Sequence, residues 1–149
     1  MFNFNLEELF ISHENRDQKS IATMLTFYTD EPYNCGVVSI DENSIIQKFD
    51  EKNLLLTERS LANAAIYIFS NKIYDYFENK PGHFTDLSLE IIPKIIGSIN
   101  GCIHGGEIID IGTLAAWNNA NLHKEFKISE FLEQNQKAWN TVLKNISAL

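Results

Sequence analysis

Few side chains in this sequence could do chemistry, and three places hold them in a suggestive order. His104 and Glu107, two glycines apart, offer an imidazole and a carboxylate as metal donors. No second histidine lies nearby, and a solvated loop accounts for the pair as well. Glu51 and Lys52 stand side by side after an apolar segment, where an isolated charge pair ordinarily faces solvent. Asp110 ends an apolar run and is followed by Ile111-Gly112-Thr113 and a helical pattern. Its carboxylate is thus presented beyond the carboxyl end of a strand, where open α/β sheets bind ligands. A carboxylate that only caps the next helix would leave the same signature. Cys35 and Cys102 lie far apart without CxxC spacing, so they read as reduced, small hydrophobes rather than a zinc site or a disulfide framework.

These residues need elements to position them, and the apolar periodicity supplies candidates. Leu6, Leu9 and Phe10 recur at helical spacing, predicting an amphipathic helix over 5–13. Residues 21–29 (IATMLTFYT) are rich in β-branched and aromatic residues with no breaker until Asp30-Glu31-Pro32, which predicts a strand stopped by a turn. Residues 36–40 and 44–49 flank Asp41-Glu42-Asn43 and read as a β-hairpin, with Asn43 as the residue that tolerates a positive φ. A short polar loop, a strand over 63–69 and a helix over 71–77 follow. Thr85 or Asp86 can cap a helix that runs to Gly97 and is kinked or delayed by Pro93. An apolar strand pattern over 103–111 is interrupted by Gly105-Gly106-Glu107, and Thr113 caps a helix over 114–123. From Ser129 a last helix carries Ile128, Phe131, Leu132, Trp139, Val142, Leu143 and Ile146 as one stripe that needs a partner surface. Strands interleaved with helices imply an α/β fold with a partly parallel sheet.

Composition narrows the classes. The chain has 149 residues, 44% of them hydrophobic and 21% charged, which suits one folded unit. Ten Phe and five Tyr oppose intrinsic disorder. A formal charge of −8 repels duplex nucleic acid and anionic membrane alike. There is no apolar run of about 18 residues, and MFNFNLEELF has acids where a signal peptide carries Lys or Arg. A cytoplasmic protein is expected.

The order of five segments is more specific than any of them singly: NCGVVSID, QKFDEK, LANAAIYIFS, DLSLEIIPKII and IIDIGTLAAWNNAN. Over about residues 4–121 this series resembles the carboxyl-terminal part of the sugar-1-phosphate nucleotidyltransferases, with the nearest look to heptose-1-phosphate and mannose-1-phosphate guanylyltransferases. The resemblance implies a Rossmann-like mixed sheet with flanking helices. It also implies a reaction in which a sugar 1-phosphate oxygen attacks the α-phosphorus of a nucleoside triphosphate and pyrophosphate leaves, with Mg²⁺ shielding the charge. On this resemblance Lys52 meets the sugar-phosphate oxygens, Glu51 accepts hydrogen bonds from sugar hydroxyls, and Gly36 lets the backbone approach the sugar ring. Asn63 lines the same pocket, and Asp110 is one of two metal-binding aspartates.

This sequence departs from the family's pattern in places. Asn53 stands where a proline usually follows Glu-Lys, Ala65 where a glycine is usual, and Ile108 where a bulky aromatic is usual. The family's Gly-rich nucleotide loop and first metal aspartate have no counterpart in these 149 residues. The expectation is therefore a partial nucleotidyltransferase domain over 1–124, with the nucleotide-binding half absent, and a carboxyl-terminal amphipathic helix over 125–149. Such a chain is expected to be inactive alone, and to self-associate or bind an amino-terminal partner fragment. A non-catalytic module that pairs with an intact homologue is the alternative, and a metal-dependent hydrolase using His104, Glu107 and Asp110 is a third reading.

Overall fold

A buried, β-branched strand organises the sheet. In the structure, a computed structural model, β1 (Ala22–Thr29) has its first six residues buried. A strand covered on both faces does not alternate between polar and apolar residues, and here the two buried polar residues, Thr23 and Thr26, bond to His13 and to the Cys102 carbonyl. Residues 5–51, 53–76, 86–106, 108, 113–115, 117–118, 133, 135–136, 139–140 and 143–144 are described. Two compact units divide the chain: residues 1–10 with 106–149, and residues 11–105.

The second unit holds the sheet. Besides β1 it contains β2 (Gly36–Ile40), β3 (Ile46–Glu51), β4 (Ser60–Phe69) and β5 (Ile99–His104). The strand order is β3-β2-β4-β1-β5. β1 and β5 run parallel, and the pairs β1–β4, β2–β3 and β2–β4 are antiparallel. The sheet is therefore mixed, as expected. Helix α1 (Leu6–Glu14) precedes it, and α2 (Leu87–Glu90) and α3 (Ile92–Ile95) lie between β4 and β5. Ile91, Ile92 and Ile95 join Ile21, Ala22, Met24, Val38, Ile46, Leu61, Ile73 and Ile99 in one buried cluster. At the end of α1, His13 is only 6% exposed and its Nδ1 lies 2.9 Å from Thr23 Oγ1. Burial, reinforced by the neighbouring Arg16 charge, lowers its pKa to about 4.

Several expectations are corrected in detail. The positive φ of the hairpin belongs to Ser44 (φ 63°), not Asn43. Asp41 decides this, because its Oδ1 accepts from both Asn43 N and Ile45 N at 2.9 Å and so shapes the loop around the residue between them. These bonds, the one from Ile45 foremost, hold the Asp41 carboxyl below its ordinary pKa. The turn at Ser44 also aims its carbonyl at Gly101 N, 2.7 Å away, while Ile45 bridges Asn100. β5 begins at Ile99 rather than at 103 because it pairs in parallel with β1 along its whole length, from Ala22 opposite Ile99 to Phe27 opposite His104. A Cβ on Gly101 would meet Ile40, Ile46 and the Ser44 carbonyl at 3.1–3.3 Å, so the strand tolerates glycine because a neighbour comes close.

β3 starts at Ile46 and runs on to Glu51, which places Glu51 on a strand rather than in a loop. β4 starts at Ser60, three residues before its expected start. Residues 71–76 form a 3-10 helix instead of an α-helix, with Ile73 buried; Phe77 lies outside the described residues. Asp86 caps α2 through a 3.0 Å bond from Leu89 N. Pro93, at the start of α3, breaks the segment into two four-residue helices instead of one kinked helix.

In the first unit, Leu6 N donates to Asn135 Oδ1 at 2.9 Å, and Asn135 is buried. Trp117 N donates to Thr113 O at 2.8 Å, the bond that starts the helix expected there. Of the carboxyl-terminal stripe, Trp139 and Leu143 are more than half exposed; Ile128, Phe131, Leu132, Val142 and Ile146 lie outside the described residues. Among the described residues no helix is long and apolar enough to cross a membrane.

Candidate functional site

Three of the residues singled out from the sequence form a row across the sheet. Gly36 opens β2 and Glu51 ends β3, and the two are register partners. Val37 pairs with Ala62, so the antiparallel register carried one step further sets Gly36 beside Asn63 on β4. The row Glu51, Gly36, Asn63 thus crosses three strands. With adjacent strands about 4.8 Å apart, its ends are roughly 10 Å apart.

The middle of the row has no side chain, for a reason the sequence did not disclose. A Cβ on Gly36 would lie 2.7 and 2.8 Å from Phe49 ring carbons and 2.9 Å from Glu51 Oε2. The space beside Gly36 is taken by the chain's own ring and carboxylate, so the glycine serves first to let those two residues fold over it. Phe49 and Glu51 are two apart on β3 and share a face. Lys48 and Asp50 occupy the other face and pair with each other at 2.6 Å. Glu51 is thereby left to the Gly36 side.

A break in β4 aims Asn63. β1 places Thr26 opposite Asn63 and Met24 opposite Tyr67. Three residues on β4 therefore face the single Leu25, a two-residue bulge. At its centre Ala65 adopts φ 56°. This is the position at which the family resemblance leads one to expect glycine, and the positive φ supplies the physical reason for that expectation. The bulge lets Asn63 bond along its own strand: Ala65 N donates to Asn63 Oδ1 at 2.9 Å, and Asn63 Nδ2 donates to Tyr67 Oη at 2.6 Å.

Tyr67 was missed from the sequence, where it reads as one more apolar residue of a strand. The only signal available was general: a phenol inside an apolar run must find a partner for its hydroxyl. Its pKa is raised, mainly by burial and further by the charges of Glu51 and Asp86, with hydrogen bonds from Asn63 and Ser88 opposing. The phenol is therefore held in its neutral, proton-bearing form. The ring stacks on Phe69, centroids 5.5 Å apart.

Lys52 and Asp110 lie outside the described residues, as does Glu107. His104 ends β5, in register with Phe27. Among the described residues no group of three or more His, Cys, Asp or Glu side chains could hold a metal ion. The described donors therefore do not make a site for the divalent cation that the family implies, and the chemistry of this site is read from Glu51, Gly36 and Asn63. Cys35 and Cys102 are half-buried and form no disulfide.

Comparison with known proteins places this geometry among relatives. Residues 1–126 match a family model described as Nucleotidyl transferase. The mannose-1-phosphate guanylyltransferase catalytic subunit beta of Drosophila melanogaster is 33% identical over 92 residues, covering 62% of this chain and 23% of that protein. The glucose-1-phosphate adenylyltransferase of Francisella tularensis subsp. novicida is 30% identical over 135 residues, covering 74% of this chain and 32% of that protein. The crystal structure of HddC from Yersinia pseudotuberculosis shares the fold, with a TM-score of 0.57 at 23% identity over 74% of this chain and 46% of that one. The chain thus spans a third or less of these curated relatives and under half of the structural neighbour.

Proposed function

The chain belongs to the nucleotidyl transferase family, and from that premise we propose that it forms the sugar-phosphate-binding part of an enzyme that transfers a nucleotidyl group to a sugar 1-phosphate. The observation that carries this reading is the row of Glu51, Gly36 and Asn63 across β3, β2 and β4. A carboxylate at one end accepts hydrogen bonds from ring hydroxyls, and a carboxamide at the other both accepts and donates. Between them Gly36 lets the Phe49 ring and the Glu51 carboxylate fold over its backbone, so an apolar ring lies beside the acceptor. This is the equipment for holding a polyhydroxylated ring.

In the reaction the bound sugar 1-phosphate offers an oxygen to the α-phosphorus of a nucleoside triphosphate; the new P–O bond forms as the bond to pyrophosphate breaks. Positioning two anions against each other is the main difficulty, so fixed hydrogen bonds to the sugar and a cation at its phosphate supply most of the help. We assign Lys52 to that phosphate. Asp110 is the carboxylate assigned to the Mg²⁺ of the whole reaction. The sugar-binding part is residues 1–124, with 125–149 as an appended helix, working in the cytoplasm.

The 149 residues contain no Gly-rich phosphate loop, so the triphosphate is held by another segment or chain, and these residues alone do not turn over. That segment is also the partner expected to cover apolar surface, as self-association otherwise would. The deciding experiment measures pyrophosphate release from GTP or ATP with mannose or glucose 1-phosphate, using this chain alone and co-expressed with an amino-terminal fragment of a full-length relative. Activity only in the combination supports the proposal, and activity of the chain alone refutes the division of labour. Sugar phosphate binding with no activity in either case favours the non-catalytic module instead.

A further inference from the structure

Asn63 is held at both ends of its carboxamide, and one of the two holders is a side chain with no place in the row. Ala65 N–H can only donate, so the atom it meets at 2.9 Å must be the carboxamide oxygen. That assignment turns the NH₂ group toward Tyr67, whose Oη accepts at 2.6 Å. One chain of hydrogen bonds therefore runs from the bulge at Ala65 through Asn63 to Tyr67.

We propose that Tyr67 is a positioning residue of the sugar pocket: by fixing the Asn63 carboxamide it determines how that group meets a ring hydroxyl of the sugar 1-phosphate. The inference rests on the sugar-phosphate reading of the site. After these two bonds the Asn63 carboxamide retains one lone pair and one N–H on the same planar group. Such a pair can accept from and donate to neighbouring hydroxyls only if the plane is held at one angle. A terminal sp³–sp² torsion such as χ2 of Asn is broad by itself, so an anchor at both ends is what holds the plane. Removing the phenolic oxygen leaves the backbone anchor alone and frees the amide to turn.

The test uses the full chain labelled with ¹⁵N and titrated with mannose 1-phosphate and with glucose 1-phosphate, observing the side-chain amide protons of Asn63. In Tyr67→Phe these signals are expected to move before any sugar is added. The dissociation constant should rise roughly three- to tenfold, the range of one neutral hydrogen bond, with the melting temperature little changed. The decisive readout is the double variant: in an Asn63→Ala background Tyr67→Phe should have no further effect on affinity. Additive losses would show that Tyr67 acts independently of Asn63 and would overturn the inference, as would unchanged affinity in Tyr67→Phe. Failure of the unaltered chain to bind either sugar phosphate would overturn the sugar-site reading and this inference with it, a result visible before any variant is made.

Discussion

Glu51 stands opposite Gly36 across the β2–β3 hairpin, its Oε2 2.9 Å from the point a Gly36 Cβ would occupy. A methyl group there would collide with the carboxylate and also with the Phe49 ring at 2.7 Å. Gly36→Ala is expected to destabilise the chain by about 1–3 kcal/mol, the usual range for overpacking, and to push Glu51 out of the row. Urea denaturation checks the first effect. Calorimetric titration with a sugar 1-phosphate checks the second, which should exceed the loss in a Phe49→Leu control that keeps Gly36.

Ala65 sits at φ 56°, a conformation that costs an L-residue roughly 1–2 kcal/mol and glycine almost nothing. Glycine also gains freedom in the unfolded chain, which offsets part of that relief. Ala65→Gly is expected to stabilise the protein by about 0.5–1 kcal/mol, and Ala65→Val to destabilise it, since a β-branched residue tolerates positive φ poorly. Equal urea midpoints for all three would show that the bulge does not impose this backbone.

His13 makes stability fall with acid in a defined window. Its folded pKa, lowered to about 4 by burial and then by Arg16, lies below the ordinary value of 6.5. The unfolded state therefore takes up the proton first, so the contribution is complete above pH 6.5 and is lost as pH falls from there toward 4. About 3 kcal/mol is at stake across that range. Denaturant midpoints at pH 7.5, 5.5 and 4.5 measure it. His13→Gln, which preserves a partner for Thr23 but cannot titrate, should flatten the dependence between the first two values.

In a complex of this chain with an active nucleotide-binding half, Lys52→Ala and Asp110→Ala are each expected to lower turnover by about 10²–10³, the scale seen when one group stabilising transition-state charge is removed. His104→Ala should leave turnover within a few-fold. Pyrophosphate release assays on the three variants separate the assignments; a His104 loss as large as the other two would move the site to the β5 end.

Much of this protein is decided by local chemistry and can be read without coordinates. The β-branched run of β1, the Asp86 cap, the break at Pro93 and the polar turn at Asp41 act over a few residues, and each appears where its residues predict. The order of the five segments also carries the family, which residues 1–126 match. Tertiary structure decided what depends on partners distant in sequence. Asn100-Gly101 became strand because the parallel register with Thr23 and Met24 of β1 holds it, with Ser44 and Ile45 meeting it as well. Glu51 came to lie beside Gly36 and Phe49 because register set it there. Tyr67, indistinguishable in sequence from a core aromatic, became the holder of Asn63 only because a two-residue bulge shortened the distance between them. Propensity and capping are properties of a segment, whereas register and the direction of a side chain are properties of the sheet that forms around it.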